Sequence, residues 1–354
     1  MIMQAKVTSP KYIPSLDGLR AVAVLIVLVS HVGYGHLVPG GFGVTVFFFL
    51  SGYLITTLLI REYDQTGAID LGQFYLRRLI RLTPPLVLTL AAALALLGAG
   101  WATGGFDLMT VLSQLLFFYN YYSLSGEALT VDGLGVLWSL AVEEHFYLIW
   151  PAAFLLVMRG RLKLWHLVAA IGLILIWRMV RFHLLGHSEW AIFISTDTRF
   201  DSLLFGCLLA LMQVRAGLAE RLFAKNAMYP ILAIAIALLL FTFVYRAPDF
   251  RSTFRYTLQG IALTPVFFYA VTRPDALIFR PLNWGWVRRI GVWSYTIYLS
   301  HYVIAHALEH TGVAPASGLM MLVAVFILSC AWAALVYQLA ERPLHPLRRR
   351  LSKV

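Results

Sequence analysis

A histidine, a pair of glutamates and a second histidine stand in stretches otherwise too apolar to hold them. His31 follows Arg20 by eleven residues inside the first hydrophobic segment. On a helix that spacing is roughly 20° past three full turns, so both side chains leave the same face, ~16 Å apart. Glu143 and Glu144 fall in Trp138–Ser139–Leu140–Ala141–Val142–Glu143–Glu144–His145–Phe146–Tyr147, and His301 closes Ser294–Tyr295–Thr296–Ile297–Tyr298–Leu299–Ser300–His301. Imidazole is the group best suited to take and return a proton near neutral pH. A carboxylate in an apolar setting either keeps its proton or holds a cation. The third constellation is basic. Arg77, Arg78 and Arg81 precede Pro84–Pro85, and Arg78 and Arg81, three apart on a turn, could clamp phosphates.

Each group also has a plainer reading. Arg20 caps and His31 packs; the glutamates form an interhelical salt bridge; His301 bonds neighbouring helices; the arginines are ordinary cytoplasmic charge. Arg199 and Asp201 open another apolar stretch and could pair with each other or with Glu143. Arg178 and Arg181 read as side chains snorkelling at a helix end. Cys207 and Cys330 sit in apolar segments, with no metal-ligand spacing and no disulfide framework.

The elements that position these residues follow from composition. Of 354 residues, 60% are hydrophobic and 13% charged. A soluble domain carries about 25% charged residues, so a soluble enzyme, a disordered tail and a secreted disulfide scaffold are excluded. The class is an all-α, polytopic transmembrane bundle. The net charge of +11 then reports cytoplasmic loops facing anionic lipid rather than nucleic acid.

Eleven hydrophobic stretches stand out, at about 20–38, 41–60, 84–102, 108–122, 134–157, 164–182, 200–214, 228–246, 254–272, 290–310 and 317–340. The fourth is the shortest, and its flanks hold Asp107, Glu127 and Asp132 but no Lys or Arg. It is expected to re-enter or lie at the interface. Ten spans remain, with both termini cytoplasmic. That arrangement leaves six basic residues outside (Arg178, Arg181, Arg199, Arg246, Arg251 and Arg255) and the other 22 of 28 inside. The chain reads as one domain over 1–354. Residues 1–16, with Lys6 and Lys11, form a cytoplasmic N-terminal segment and 342–354 a basic tail. The first stretch reads as a retained anchor, not a cleaved signal peptide. Glu143 then lies ~13 Å in from the outer side by helical rise, level with His31 and His301. A basic inner mouth, a buried histidine and carboxylate at one depth, and a polar outer mouth fit two classes. One is a transporter with a proton relay, exporting an anionic or acylated metabolite. The other is an enzyme that takes a phosphate-bearing donor from the cytoplasm and acts within the membrane.

Several motifs in order resemble the acyltransferase-3 family. They are Ser15–Leu16–Asp17–Gly18–Leu19–Arg20–Ala21 with His31; Gly40–Gly41–Phe42–Gly43–Val44 followed by Phe47 through Ile55; Phe74–Tyr75 with Arg77, Arg78, Arg81 and Pro84; Trp138–Ser139–Leu140 through Glu143, Phe146, Tyr147 and Pro151; Arg199–Asp201–Gly206; Tyr295–Tyr298–Leu299–His301; and Glu341–Arg342–Pro343. The resemblance implies an integral-membrane O-acyltransferase moving an acyl group, usually acetyl from acetyl-CoA, to a sugar hydroxyl of a surface glycan or glycolipid. It implies His31 as catalytic residue with Arg20 as partner, Arg78 and Arg81 (with Arg77 beside them) at the acyl-CoA, and Glu143 as an essential polar residue. Arg199, Asp201, His301, Glu144 and Trp138 are expected to serve the acceptor or the structure. No bound cofactor is implied; acyl-CoA is a co-substrate. The partners are the bilayer, the donor and a carbohydrate or glycolipid acceptor, in a bacterial inner membrane. Thr45 departs from the pattern, since many members have aspartate there. Many members also carry a fused extracytoplasmic esterase-like domain, and this chain is expected to be a stand-alone member. Histidine as general base for direct transfer is favoured over a transient acyl-histidine.

Overall fold

The computed structural model describes residues 12–214, 217–315 and 317–351, without the side chains of 348–350. Lys6, Lys11 and the outermost residues of both expected terminal segments lie outside the described residues. Among the described residues there is no strand, only an isolated bridge between Gly104 and Val131. The described residues contain ten helices of 16 residues or more: α1 (Pro14–Val29), α2 (Gly40–Thr66), α3 (Leu71–Gly98), α4 (Trp138–Met158), α5 (Leu164–Met179), α6 (Thr196–Val214), α7 (Met228–Val244), α8 (Phe254–Thr272), α9 (Gly285–His310) and α10 (Gly318–Val336).

Among the described residues seven helical segments are long and apolar enough to cross a membrane by length and composition; they contain α1–α5, α7 and α10. The remaining three long helices, α6, α8 and α9, carry more polar side chains, many of them buried. Leucines and isoleucines on the outer helices face outward, with Leu173, Ile234 and Leu319 each more than 60% exposed. Such a belt suits lipid and not water. The protein is an integral membrane protein.

Glycines make the closest crossings. A Cβ on Gly52 of α2 would fall 1.9 Å from the Leu203 carbonyl oxygen of α6, and one on Gly206 2.0 Å from that of Phe49. A Cβ on Gly291 of α9 would fall 1.8 Å from the Asp17 oxygen of α1. Small residues at these points let backbones touch, which is how helices associate where no hydrophobic effect separates them from lipid. The second crossing brings His31 beside His301.

Two expectations need revision. The third helix was expected near residue 84, with the arginines in a linker before it. It begins at Leu71, where the Asp70 side chain accepts a hydrogen bond from the Gln73 backbone N–H. Glu62 at the end of α2 accepts from the Asp70 backbone N–H at 2.8 Å and ties the two helices together. Pro84 and Pro85 lie inside α3, as membrane helices tolerate when neighbours satisfy the freed backbone. Arg77, Arg78 and Arg81 therefore ride on a rigid helix. The second revision concerns Arg178 and Arg181, which do not snorkel but are 0% and 6% exposed.

The fourth hydrophobic stretch folds as Leu108–Leu115 and a single turn at Tyr119–Tyr122. Eight residues rise ~12 Å, too short for a ~30 Å hydrocarbon core. Both ends of the described chain lie at one end of the bundle: Ser15 bonds Asn283, and Arg77 bonds the Leu351 carbonyl oxygen.

Candidate active site

α1 ends in a wide π turn, Ser30–Tyr34, stopped by Gly33 at φ 97°. Such turns frequently mark functional sites. Here the turn presents His31 to α9. The His31 ring stacks on Tyr302, with centroids 4.3 Å apart, and its Nδ1 lies 2.8 Å from His301 Nε2. His301 Nδ1 in turn lies 2.8 Å from the Tyr298 carbonyl oxygen and 3.2 Å from that of Ile297.

These contacts set the protons. Carbonyl oxygens only accept, so His301 Nδ1 carries the hydrogen. No carboxylate is in ion-pair or hydrogen-bond contact with either ring among the described residues, and a buried charge without a partner is expensive, so the pair is neutral. His301 Nε2 is then bare and accepts from His31 Nδ1, which leaves His31 Nε2 without a proton. His301 is fully buried while His31 is partly exposed. His301 is the enclosed ring and His31 the more accessible one.

A second site lies ~16 Å back along α1 by helical rise. Arg20, Arg78, Arg81, Glu143 and Tyr147 line a narrow cavity of about 80 Å³ with Ser139, Tyr295 and Tyr298. Among the described residues the one ion pair Arg20 makes is a long contact to Asp17, at 3.4 Å. Arg78 lies over the rings of Phe74 and Tyr147, and its buried Nε has no acceptor. Among the described residues neither Arg78 nor Arg81 has a carboxylate within ion-pair distance. Glu143 accepts from Tyr147 Oη at 2.9 Å. Three cations against one carboxylate leave the cavity positive and suited to an anion. Arg77 is not part of it; it turns to Glu62 at 2.8 Å and to the Leu351 carbonyl oxygen at 2.9 Å.

The expected depth match between His31 and Glu143 does not bring them into contact. Tyr298 stands between the two places. Its hydroxyl bonds Ser139 Oγ at 2.8 Å and the Val136 carbonyl oxygen at 3.1 Å. Its ring lines the arginine cavity and lies 5.7 Å from the His301 ring. Tyr298 belongs to the run that ends in His301, and that polar run was the signal for it. Glu144 turns away into a lateral groove shared with Arg78, His145 and Leu148.

Asp201 does not pair with Arg199. It binds Arg178 at 2.8 Å, both side chains fully buried. Arg178 also donates to the Thr253 and Thr198 carbonyl oxygens and to Thr257 Oγ1. Among the described residues Arg199 has no carboxylate within ion-pair distance. It donates to Thr45 Oγ1 at 3.0 Å and to the Phe193 carbonyl oxygen at 3.1 Å, and sits among the rings of Phe48, Trp138, Phe193 and Tyr256.

A lipid-facing helical bundle with a buried histidine pair and a separate arginine-lined cavity defines an integral membrane protein with two polar interior sites. The chain belongs to a family of acyltransferases: the family model described as an acyltransferase domain matches residues 13–338. It is 28% identical to the O-acetyltransferase OatA of Staphylococcus aureus (strain NCTC 8325 / PS 47), over 96% of this chain and 58% of that protein. It is 33% identical to the peptidoglycan O-acetyltransferase OatA of Listeria monocytogenes serovar 1/2a, over 84% of this chain and 50% of that protein. The chain thus spans about half the length of these curated relatives. No solved structure matches it.

Proposed function

We propose that the protein is a membrane O-acyltransferase that moves an acyl group, acetyl in the simplest case, from cytoplasmic acyl-CoA to a hydroxyl of a carbohydrate or glycolipid. In this reading the chain spans a bacterial inner membrane ten times, with both ends and the arginine cavity on the cytoplasmic side. The observation that carries it is the contact of His31 Nδ1 with His301 Nε2 at 2.8 Å, with His301 Nδ1 against two carbonyl oxygens; the tautomers these contacts favour leave His31 Nε2 able to accept a proton.

The donor's phosphates meet Arg20, Arg78 and Arg81, and its thioester arm extends toward His31. The acceptor hydroxyl gives its proton to His31 Nε2 as its oxygen attacks the thioester carbonyl. The C–S bond breaks, and the thiolate recovers the proton from His31. His301 keeps its own proton throughout and holds the ring of His31 by accepting from Nδ1. It is a positioning residue. Glu143 and Tyr147 stand with the donor rather than with the imidazole. The acyltransferase-domain match and the O-acetyltransferase names of the relatives support the reading.

The test is label transfer in proteoliposomes supplied with acetyl-CoA and a crude glycan extract. Wild type should release one free thiol per acetyl group placed on the glycan, with no dependence on a membrane potential. Loss of a general base costs about 10²–10⁴-fold, so His31→Gln should lose that much turnover while still inserting and folding. Flux of an anionic metabolite with no thiol release would identify an exporter and overturn the reading.

A further inference from the structure

A cavity of about 460 Å³ opens at the end of the bundle opposite Arg20, between the loop after α1, the α5–α6 junction and the α7–α8 junction. Its volume falls within the ~300–1,000 Å³ of small-ligand pockets. Three arginines, Arg246, Arg251 and Arg255, line it against one acid, Glu189. Arg251 stands 3.6 Å from Glu189, and Arg246 donates to the His36 carbonyl oxygen. Arg255 has neither. Its Nη2 donates to Tyr256 Oη, and its buried Nε has no acceptor. Beside it Ser252 is 2% exposed, with an Oγ that also lacks a partner. Two buried, unpartnered polar groups on one wall of a cavity with excess positive charge are the counterpart of an oxyanion.

The rest of the lining suits a sugar. Trp190 and Tyr245 each leave about half of their surface open, 51% and 46%, and such flat amphipathic rings pack against the apolar face of a pyranose. Behind them Tyr256 carries two guanidinium groups against its ring, Arg255 at 4.9 Å and Arg199 at 4.0 Å. The opposite wall contains Gly35, Gly40 and Gly41. A Cβ on Gly40 would press to 2.6 Å from Ser30 Oγ, and Ser30 adjoins His31. Ser30, the residue before the proposed base, thus packs against this wall of the cavity.

We propose that this cavity receives the acceptor saccharide, and that Arg255 and Ser252 bind an anionic group, a carboxylate or phosphate, on that saccharide. The proposal rests on the acyl-transfer reading for the meaning of the site but makes a prediction that needs no donor. The other source of the same chemistry is a lipid headgroup.

The experiment is titration calorimetry on the full protein in discs of zwitterionic lipid. The probes are uronic acid oligosaccharides and their methyl esters, which match in shape and differ in charge. The acid should bind at least tenfold tighter than its ester. Arg255→Gln should erase that preference and Arg255→Lys should keep part of it. Arg159→Gln, on an exposed loop at the other end, should change nothing. No acid binding better than its ester would overturn the proposal, as would equal effects of the Arg255 and Arg159 changes. Displacement of the sugars by phosphatidylglycerol added to the disc would assign the site to a headgroup and also overturn it. A wild type that keeps the acid preference but places no label on glycan in the proteoliposome test would instead count against the acyl-transfer reading alone.

Discussion

Arg178 and the Arg78–Arg81 pair are both buried or half-buried cations on membrane helices, and the protein treats them in opposite ways. Arg178 is fully enclosed, paired with Asp201 at 2.8 Å, and all three of its nitrogens donate to protein acceptors. Arg78 and Arg81 line a cavity with Arg20, have no carboxylate within ion-pair distance among the described residues, and leave Arg78 Nε without an acceptor. A cation fully bonded by its own fold is architecture, because the surrounding structure has already offset its desolvation. A cation held in place but left unbonded keeps that capacity for a ligand. Arg77, one residue from Arg78, follows the first pattern, so sequence adjacency does not predict which use an arginine has.

The contrast is broken most directly at Arg178. Arg178→Leu leaves Asp201 buried without its cation, which typically costs 3–5 kcal/mol, on the order of the whole stability margin of many proteins. The expected outcome is a collapse of the thermal transition in detergent, with much of it recovered in the Arg178→Met, Asp201→Leu double variant. An undiminished transition in the single variant would show that the pair is dispensable.

His301→Ala comes next. It removes the acceptor that fixes His31 and should lower kcat about 10²-fold, the scale of losing an oriented base. His301→Gln keeps an acceptor oxygen for His31 Nδ1 and should recover most of that loss. Equal defects in the two variants would mean that His301 acts only by filling space.

The double variant Arg78→Gln, Arg81→Gln sharpens the comparison from the other side. It should raise KM for acyl-CoA by about 10–100-fold, each tenfold being about 1.4 kcal/mol, with the thermal transition in place. Arg77→Gln should be the mildest. It removes a mostly buried pair with Glu62 that stands outside the cavity and should move KM by less than about threefold. A larger KM effect at Arg77 than at Arg78 would reverse the assignment.

Much of the helical fold was legible, because long apolar stretches interrupted by charged loops leave few alternatives. The start of α3 was not, since Pro84–Pro85 resembles a helix beginning while the true start, at the Asp70 cap, precedes a polar stretch that hides it. His31 and His301 were each legible as polar residues in apolar surroundings. Their contact was not, because it joins positions 270 apart through a glycine crossing. The Arg178–Asp201 pair was missed for a different reason: an arginine near a helix end reads as snorkelling, and only tertiary burial reveals otherwise. The cavity at the end opposite Arg20 is assembled from three separate junctions, each too short to carry a pattern of its own.

The central claim is that base and donor site are separate: His31 handles the proton and the unpaired arginines hold acyl-CoA. Steady-state kinetics of acetyl-CoA turnover on wild type, His31→Gln and the Arg78→Gln, Arg81→Gln variant separates the two. The account predicts that His31→Gln lowers kcat by about 10²–10⁴-fold with KM for acetyl-CoA within a few-fold of wild type, and that the arginine variant does the converse. A His31→Gln enzyme that keeps its kcat, or an arginine variant whose KM does not move, would contradict it.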